Sequence, residues 1–178
     1  MKRNNLFLLL MIAVIGATSV SAQSTDPDPA VQEAKEETAV VFDLGRFFGY
    51  VWRLEQESDD LGLTRDQQAE FYTVMQEIVS RSRIEPDWAE EVYERLELDV
   101  LTVAQLMQVD MFVLERDASR SSGTGTGAGS GNPGSGTGSG PILTYLEGGA
   151  FNPIVDDTKS QGQDFLAFQA YLKRELGR

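Results

Sequence analysis

The amino-acid sequence predicts an all-α protein: a small antiparallel helical bundle, a glycine-rich tether and a C-terminal helix that docks. Apolar residues recur at three- and four-residue spacing in four consecutive segments, which is the period of an amphipathic helix. The connections between these segments are short, as in bundles of antiparallel helices. A fifth segment of this kind follows a twenty-residue stretch that contains nine glycines.

The first 22 residues have the features of an export signal. Lys2 and Arg3 precede an uncharged, mostly apolar run from Leu6 to Ala17, and a Val-Ser-Ala cleavage pattern follows. The run is shorter than the roughly 20 residues that span a bilayer. We therefore expect signal cleavage before Gln23, a periplasmic or secreted mature chain, and no stable membrane insertion. An uncleaved N-terminal anchor is the alternative.

Residues 23–36 are predicted to be a flexible acidic leader, because they contain an Asp-Pro-Asp-Pro run, and residues 37–120 to be the helical domain. The domain should contain four helices. The first carries Gly45 and Gly49, whose spacing either allows a close helix crossing or marks an irregular helix start. The apolar positions of the four helices are, in order, Val40, Leu44, Phe47, Phe48, Val51 and Trp52; Phe71, Val74, Met75, Ile78 and Val79; Trp88, Val92 and Leu96; and Leu106, Val109 and Val113, with Phe112 beside them.

Residues 121–140 are predicted to be a disordered linker, because Gly, Ser and Thr bury too little apolar surface to offset the entropy of ordering the chain. In the C-terminal segment, residues 141–178, turn signals predict a loop to about residue 157, and a helix should cover about 161–176. Its apolar stripe should dock on its own bundle or on a partner; it consists of Phe165, Phe168, Leu172 and Leu176.

Composition excludes several kinds of chemistry. The chain has no histidine and no cysteine, which removes Ser-His-Asp and Cys-His catalysis, Cys/His zinc sites and disulfides. The net charge of −13 becomes −15 when the two basic residues of the signal are removed, since 13 basic residues then face 28 acidic ones. Such a charge disfavours nucleic acid and anionic membranes as partners, and favours solubility or basic clients. We expect no cofactor.

Two boxes of the pattern L-T-x-x-Q open predicted helices. Thr at the N-cap accepts a hydrogen bond from the backbone N–H at N3, while the Gln at N3 reaches back to the N–H of the cap. This reciprocal arrangement accounts for both boxes as helix-capping motifs without any further function. The residues concerned are Leu63, Thr64 and Gln67 in the first box, and Leu101, Thr102 and Gln105 in the second.

At these boxes the chain resembles the LTxxQ-containing periplasmic proteins of the Spy/CpxP type. The resemblance implies a small, exported, all-helical protein with its boxes at helix starts, cradle-shaped dimers, and a role in envelope-stress sensing or ATP-independent chaperoning. The present chain differs in its acidity, in the 38-residue spacing of its boxes and in its glycine-rich segment. Independent use of a helix-entry signal is the alternative reading.

These observations together predict a non-enzymatic helical binding module of the bacterial envelope, with a protein partner or client and a chaperone-like or regulatory role. A structural or assembly component that docks through its tethered C-terminal helix is the first alternative. A carboxylate-dependent hydrolase is the second, because carboxylates are the main acid–base groups of the chain. The sequence does not specify an oligomeric state.

Overall fold

The computed structural model describes residues 28–58, 60–122 and 139–178. The expected signal segment, 1–22, and all but the two ends of the expected linker lie outside this part of the chain. The described residues form an all-α fold, as predicted, without a β-strand. Its helices are α1 (Pro29–Glu37), α2 (Ala39–Glu57), α3 (Arg65–Ser80), α4 (Pro86–Arg95), a π-helical turn (Leu96–Val100), α5 (Val103–Ser122), α6 (Ser139–Leu146), a 3₁₀ turn (Pro153–Val155) and α7 (Ser160–Glu175).

The first correction concerns the predicted flexible leader, residues 23–36, which is helical from Pro29 onward. Asp28 caps this helix, since its side chain accepts a hydrogen bond from the N–H of Ala30 at 2.9 Å. Proline is well suited to the first helical position because it has no N–H to leave unpaired. Locally, the Thr38 hydroxyl donates a hydrogen bond to the carbonyl of Ala34 at 2.6 Å. Ala34 is fully buried and α1 packs on α6, so tertiary packing holds the segment in place.

The second correction concerns the ends of the predicted linker, 121–140, and the predicted loop that follows it. Helix α5 continues to Ser122, and α6 begins at Ser139. Ile142 and Tyr145 of α6 are buried, and α6 packs on α1, where the Tyr145 hydroxyl donates to Glu37 at 2.9 Å. Glycine and proline near the helix ends indicated a loop, but tertiary packing against α1 decides the local structure.

Helix α2 occupies the centre of the bundle and packs against α4, α5 and α7. Its aromatic residues form the core with rings from other helices. Phe48 lies edge-on to Phe165 with centroids 5.1 Å apart, and Trp52 stacks on Phe168 at 5.6 Å. The C-terminal helix therefore completes the core that α2 begins, and the described residues do not divide into a bundle and a separate tail.

Of the two glycines whose spacing allowed a close helix crossing, Gly45 lies at the close approach of α2 and α7. A Cβ atom at Gly45 would overlap the side chain of Gln161, whereas one at Gly49 would come no nearer than 3.8 Å to Asp164. On the α7 side, a Cβ atom at Gly162 would overlap the backbone carbonyl of Asp156. Gly45 therefore leaves the space that Gln161 occupies at the contact with α7, whereas Gly162 lets α7 lie close against the preceding turn at Asp156.

Candidate functional site

The first predicted capping box, at Thr64, is present at the start of α3. The N–H of Gln67 donates to the Thr64 hydroxyl at 3.4 Å, and the N–H of Thr64 donates to Gln67 Oε1 at 2.8 Å. Leu63 is buried just before the cap. From α2, Glu55 Oε1 accepts the Leu63 N–H at 3.2 Å and the Gln68 side-chain amide at 3.3 Å. Burial raises the pKa of Glu55, and these hydrogen bonds oppose the rise.

The second box has the same geometry at the start of α5. The N–H of Gln105 donates to the Thr102 hydroxyl at 3.3 Å, and the N–H of Thr102 donates to Gln105 Oε1 at 2.9 Å. Leu101 is buried, as Leu63 is in the first box. The spacing rule therefore located both helix entries and the roles of both threonines and glutamines.

The structure also brings the two boxes into contact, which sequence reasoning missed. Gln67 Nε2 donates to Gln105 Oε1 at 2.8 Å, and Gln105 Nε2 approaches Gln67 Oε1 at 3.3 Å. The two side chains are only 9 % and 3 % exposed, respectively. Each buried amide thus caps its own helix and pairs with the amide of the other box.

Each glutamine also binds the chain that leads into the other box. Gln67 Nε2 donates, at 2.7 Å, to the carbonyl of Val100, which is the last residue of the π-helical turn. Gln105 Nε2 donates to the carbonyls of Leu61 and Gly62 at 3.1 and 3.2 Å. Carbonyls at helix ends and in loops have no partner within a helix, so the amides satisfy groups that would otherwise be unpaired. We call this arrangement the glutamine pair; it fixes the start of α5 to the start of α3.

The predicted docking stripe of the C-terminal helix lies inside the protein's own core. Phe165, Phe168 and Leu172 are fully buried, and Leu176 is half-buried at the end of α7. Phe168 also contacts Phe71 of α3, with ring centroids 6.0 Å apart. The stripe therefore binds its own bundle, and it is not an open surface for a partner.

Helix α5 exposes an apolar stripe that sequence reasoning missed. Its side chains follow one another at intervals of four, four and three residues, which places them on one helix face. We call them the α5 stripe: Val103, Met107, Met111 and Leu114, which are 77 %, 64 %, 51 % and 63 % exposed. The same helix buries Gln105, Val109 and Phe112 on its opposite face. The second apolar period of α5, readable from the sequence, is the signal that could have revealed this face.

A cleft of about 250 Å³ runs beside the α5 stripe, between α2, α4, the π-helical turn and α5. Tyr93 and Val109 are among the residues that line it, and Asp110 and Asp117 form its edge on α5. Burial, and then the neighbouring Glu97 carboxylate, raise the pKa of Tyr93, so its hydroxyl stays protonated. The lining contains four carboxylates and two guanidinium groups, and the cleft is therefore acidic.

The guanidinium groups of the cleft have partners within the protein. Arg46 forms a salt bridge with Asp43 on α2. Arg116 Nη1 donates to the hydroxyl of Tyr50 at 2.8 Å. These contacts hold the basic groups toward α2, and leave Asp110 and Asp117 as the exposed charges between the cleft and the α5 stripe.

Three further findings concern metals, membranes and relatives. Among the described residues, no group of three or more acidic side chains is placed to hold a metal ion. Within the same residues, no helix combines the length and the apolar character that crossing a membrane requires. Comparison with protein-family models, with curated proteins and with solved structures finds no match to this chain.

Proposed function

We propose that this protein is an exported, non-enzymatic helical module of the bacterial envelope that binds other proteins through the α5 stripe. The observation that carries the proposal is the exposure of four large apolar side chains, at helical spacing, on a bundle whose aromatic residues are otherwise well packed. Contiguous apolar surface of this kind marks interaction sites on soluble proteins, whereas scattered apolar residues need no explanation.

The composition of the stripe supports binding of varied protein segments. Met107 and Met111 lie at its centre, and methionine side chains are unbranched and polarizable, so they adapt to partners of different shape. A chaperone-like or regulatory role agrees with such a surface. The resemblance of the two L-T-x-x-Q boxes to envelope proteins of the Spy/CpxP type points to the same class of function.

The binding role is tested with two double variants. In Met107→Gln/Met111→Gln, polar side chains of similar length replace the centre of the stripe without removing helix-forming residues. The control, Val79→Gln/Leu143→Gln, changes two apolar residues that are 47 % and 44 % exposed on α3 and α6. Surface changes of this kind usually alter the free energy of unfolding by less than about 0.5 kcal/mol.

The measurement is suppression of light scattering by a chemically denatured client protein as it is diluted from denaturant. We expect the native protein and the control variant to suppress scattering, and the stripe variant to lose the effect while keeping its helical circular dichroism. Equal suppression by the stripe variant and the native protein would remove the α5 stripe from the proposal.

The exported location is supported by the basic start, the apolar run and the cleavage pattern of residues 1–22. N-terminal sequencing of the protein recovered from cells is the direct test. We expect the mature chain to begin at Gln23, whereas a recovered chain that still begins at Met1 would contradict cleavage.

A further inference from the structure

We infer that the segment bound by the α5 stripe is a cationic amphipathic helix, whose apolar face covers the stripe and whose Lys or Arg side chains meet Asp110 and Asp117. This inference rests on the proposed function and specifies its partner. It follows from the position of the charges beside the stripe, and from the acidity of the cleft beyond them.

The charges lie where a partner helix would reach them. Asp110 and Asp117 are exposed on the side of the stripe that borders the cleft. They are seven residues apart, so about 10 Å separates them along the helix axis. A partner helix with basic residues at i and i+7 beside an apolar face matches this spacing, because seven residues make about two turns.

On the opposite side of the stripe, the carboxylate is already engaged in an ion pair. This carboxylate, Glu115, binds Arg53 Nη1 at 2.9 Å. The same guanidinium lies 4.0 Å from the centroid of the Phe112 ring, and its Nε atom binds Glu57 at 3.0 Å. Glu115 is therefore held by a cation of the protein itself, whereas Asp110 and Asp117 border the open cleft, where a basic side chain of a partner can meet them. This asymmetry gives a bound helix a preferred rotation about its own axis.

The cleft extends the acidic surface beyond the two aspartates. A long basic side chain that passes between Asp110 and Asp117 enters a space lined by Tyr93, Val109 and Glu97. Lysine and arginine place an aliphatic stem against apolar groups and a charged head among carboxylates, and this lining offers both surfaces. Helical segments recognised in grooves use such a combination of apolar anchors and flanking charge.

Charge also argues against the other occupants of an apolar face. A second copy of the chain would bring another acidic surface to the stripe, and the chain has a net charge of −13. An anionic lipid surface would be repelled by the same aspartates. A cationic partner is the one for which apolar contact and charge both favour binding.

The test uses two fluorescently labelled peptide probes of about 18 residues with the same leucine stripe. One carries lysines at i and i+7 beside that stripe, and the other carries glutamates there. Binding to the full chain is measured by fluorescence anisotropy at about 0.05 and 0.5 M salt, because screening separates charge attraction from apolar contact. We expect the lysine probe to bind at least about tenfold more tightly than the glutamate probe at low salt.

Two double variants that each remove two carboxylates show which part of the surface attracts the lysine probe. Asp110→Asn/Asp117→Asn should weaken the lysine probe by about three- to tenfold at low salt, as for two solvent-exposed ion pairs, and should reduce its salt dependence. The control is Glu33→Gln/Glu77→Gln, which removes two exposed carboxylates from α1 and α3. It should change binding by less than about twofold, because screening weakens distant charges.

The outcomes separate the inference from the proposed function. Equal binding of both probes, or no effect of the Asp110→Asn/Asp117→Asn variant, would overturn the cationic partner; the proposed function would stand if Met107→Gln/Met111→Gln still abolished binding. Undiminished binding to the methionine variant would overturn the proposed function itself. Dimerisation in sedimentation velocity that is lost with the methionine variant would make a second copy the occupant and overturn the inference.

Discussion

The glutamine pair allows a prediction whose magnitude follows from the structure. In Gln105→Ala, the N–H of Thr102 loses its acceptor and the carbonyls of Leu61 and Gly62 lose their donor. A buried polar group left unsatisfied costs about 1–3 kcal/mol. Because these groups lie near the bundle surface and water can replace part of the loss, we expect a decrease of about 2–4 kcal/mol in the free energy of unfolding.

We expect Gln67→Ala to lower the free energy of unfolding for the same reason, since the N–H of Thr64 and the carbonyl of Val100 lose their partners. The two bonds between the amides are lost in either single variant. The double variant should therefore lose less stability than the two single losses added together, with a coupling of about 1–2 kcal/mol, within the range measured for residues in one network.

Urea unfolding followed by circular dichroism measures all three variants and the native protein. Gln108→Ala is the matched control, because it removes a half-exposed glutamine from the same helix outside the pair. It should change the free energy of unfolding by less than about 0.5 kcal/mol. Additive losses in the double variant would refute the reasoning, since they would mean that the two boxes stabilise the protein independently.

Three more predictions use the same unfolding assay. Gly162→Ala should destabilise the protein clearly, because its Cβ atom would overlap the carbonyl of Asp156. Gly49→Ala should instead raise stability by about 0.5–1 kcal/mol through helix propensity, and the reverse order would contradict the close packing of α7 against the turn at Asp156. Burial raises the pKa of Glu55 above its unfolded value, so the stability linked to protonated Glu55 is lost as pH rises through the raised pKa. Glu55→Gln should therefore be more stable than the native protein above this pH window. If that advantage persisted below about pH 4, it would count against a raised pKa for Glu55. Phe168→Ala should cost about 3–5 kcal/mol, and a loss below about 1 kcal/mol would mean that the C-terminal helix is not part of the core.

Local patterns in the sequence predicted much of this fold. The apolar period located the core faces of α2, α3 and α7, for example at Phe47, Phe71 and Phe168, because a helix buries the face on which its apolar residues recur. The capping boxes located the starts of α3 and α5, because their hydrogen bonds join residues three positions apart. In both cases the relevant contacts lie within one helix or follow from its period.

Features that depend on contacts between distant segments could not be predicted in this way. The contact between Gln67 and Gln105 requires the path of the chain from α3 to α5, which no local pattern contains. Helix α6 follows a glycine-rich segment and owes its position to packing on α1, through residues such as Tyr145. The exposed face of α5 was missed because that helix has two apolar stripes, and periodicity alone does not say which of them is buried.

The glutamine pair and the α5 stripe are connected through the rotation of α5 about its axis. Gln105 lies on the core side with Val109 and Phe112, and about 100° per residue places the α5 stripe on the opposite side of the helix. Turning Met107 and Met111 toward the core would withdraw Gln105 from its contact with Gln67 and leave buried amide and carbonyl groups unpaired. The exposed methionines are therefore held at the surface by polar contacts at the start of the helix, which ties the L-T-x-x-Q boxes to the proposed binding face as well as to stability.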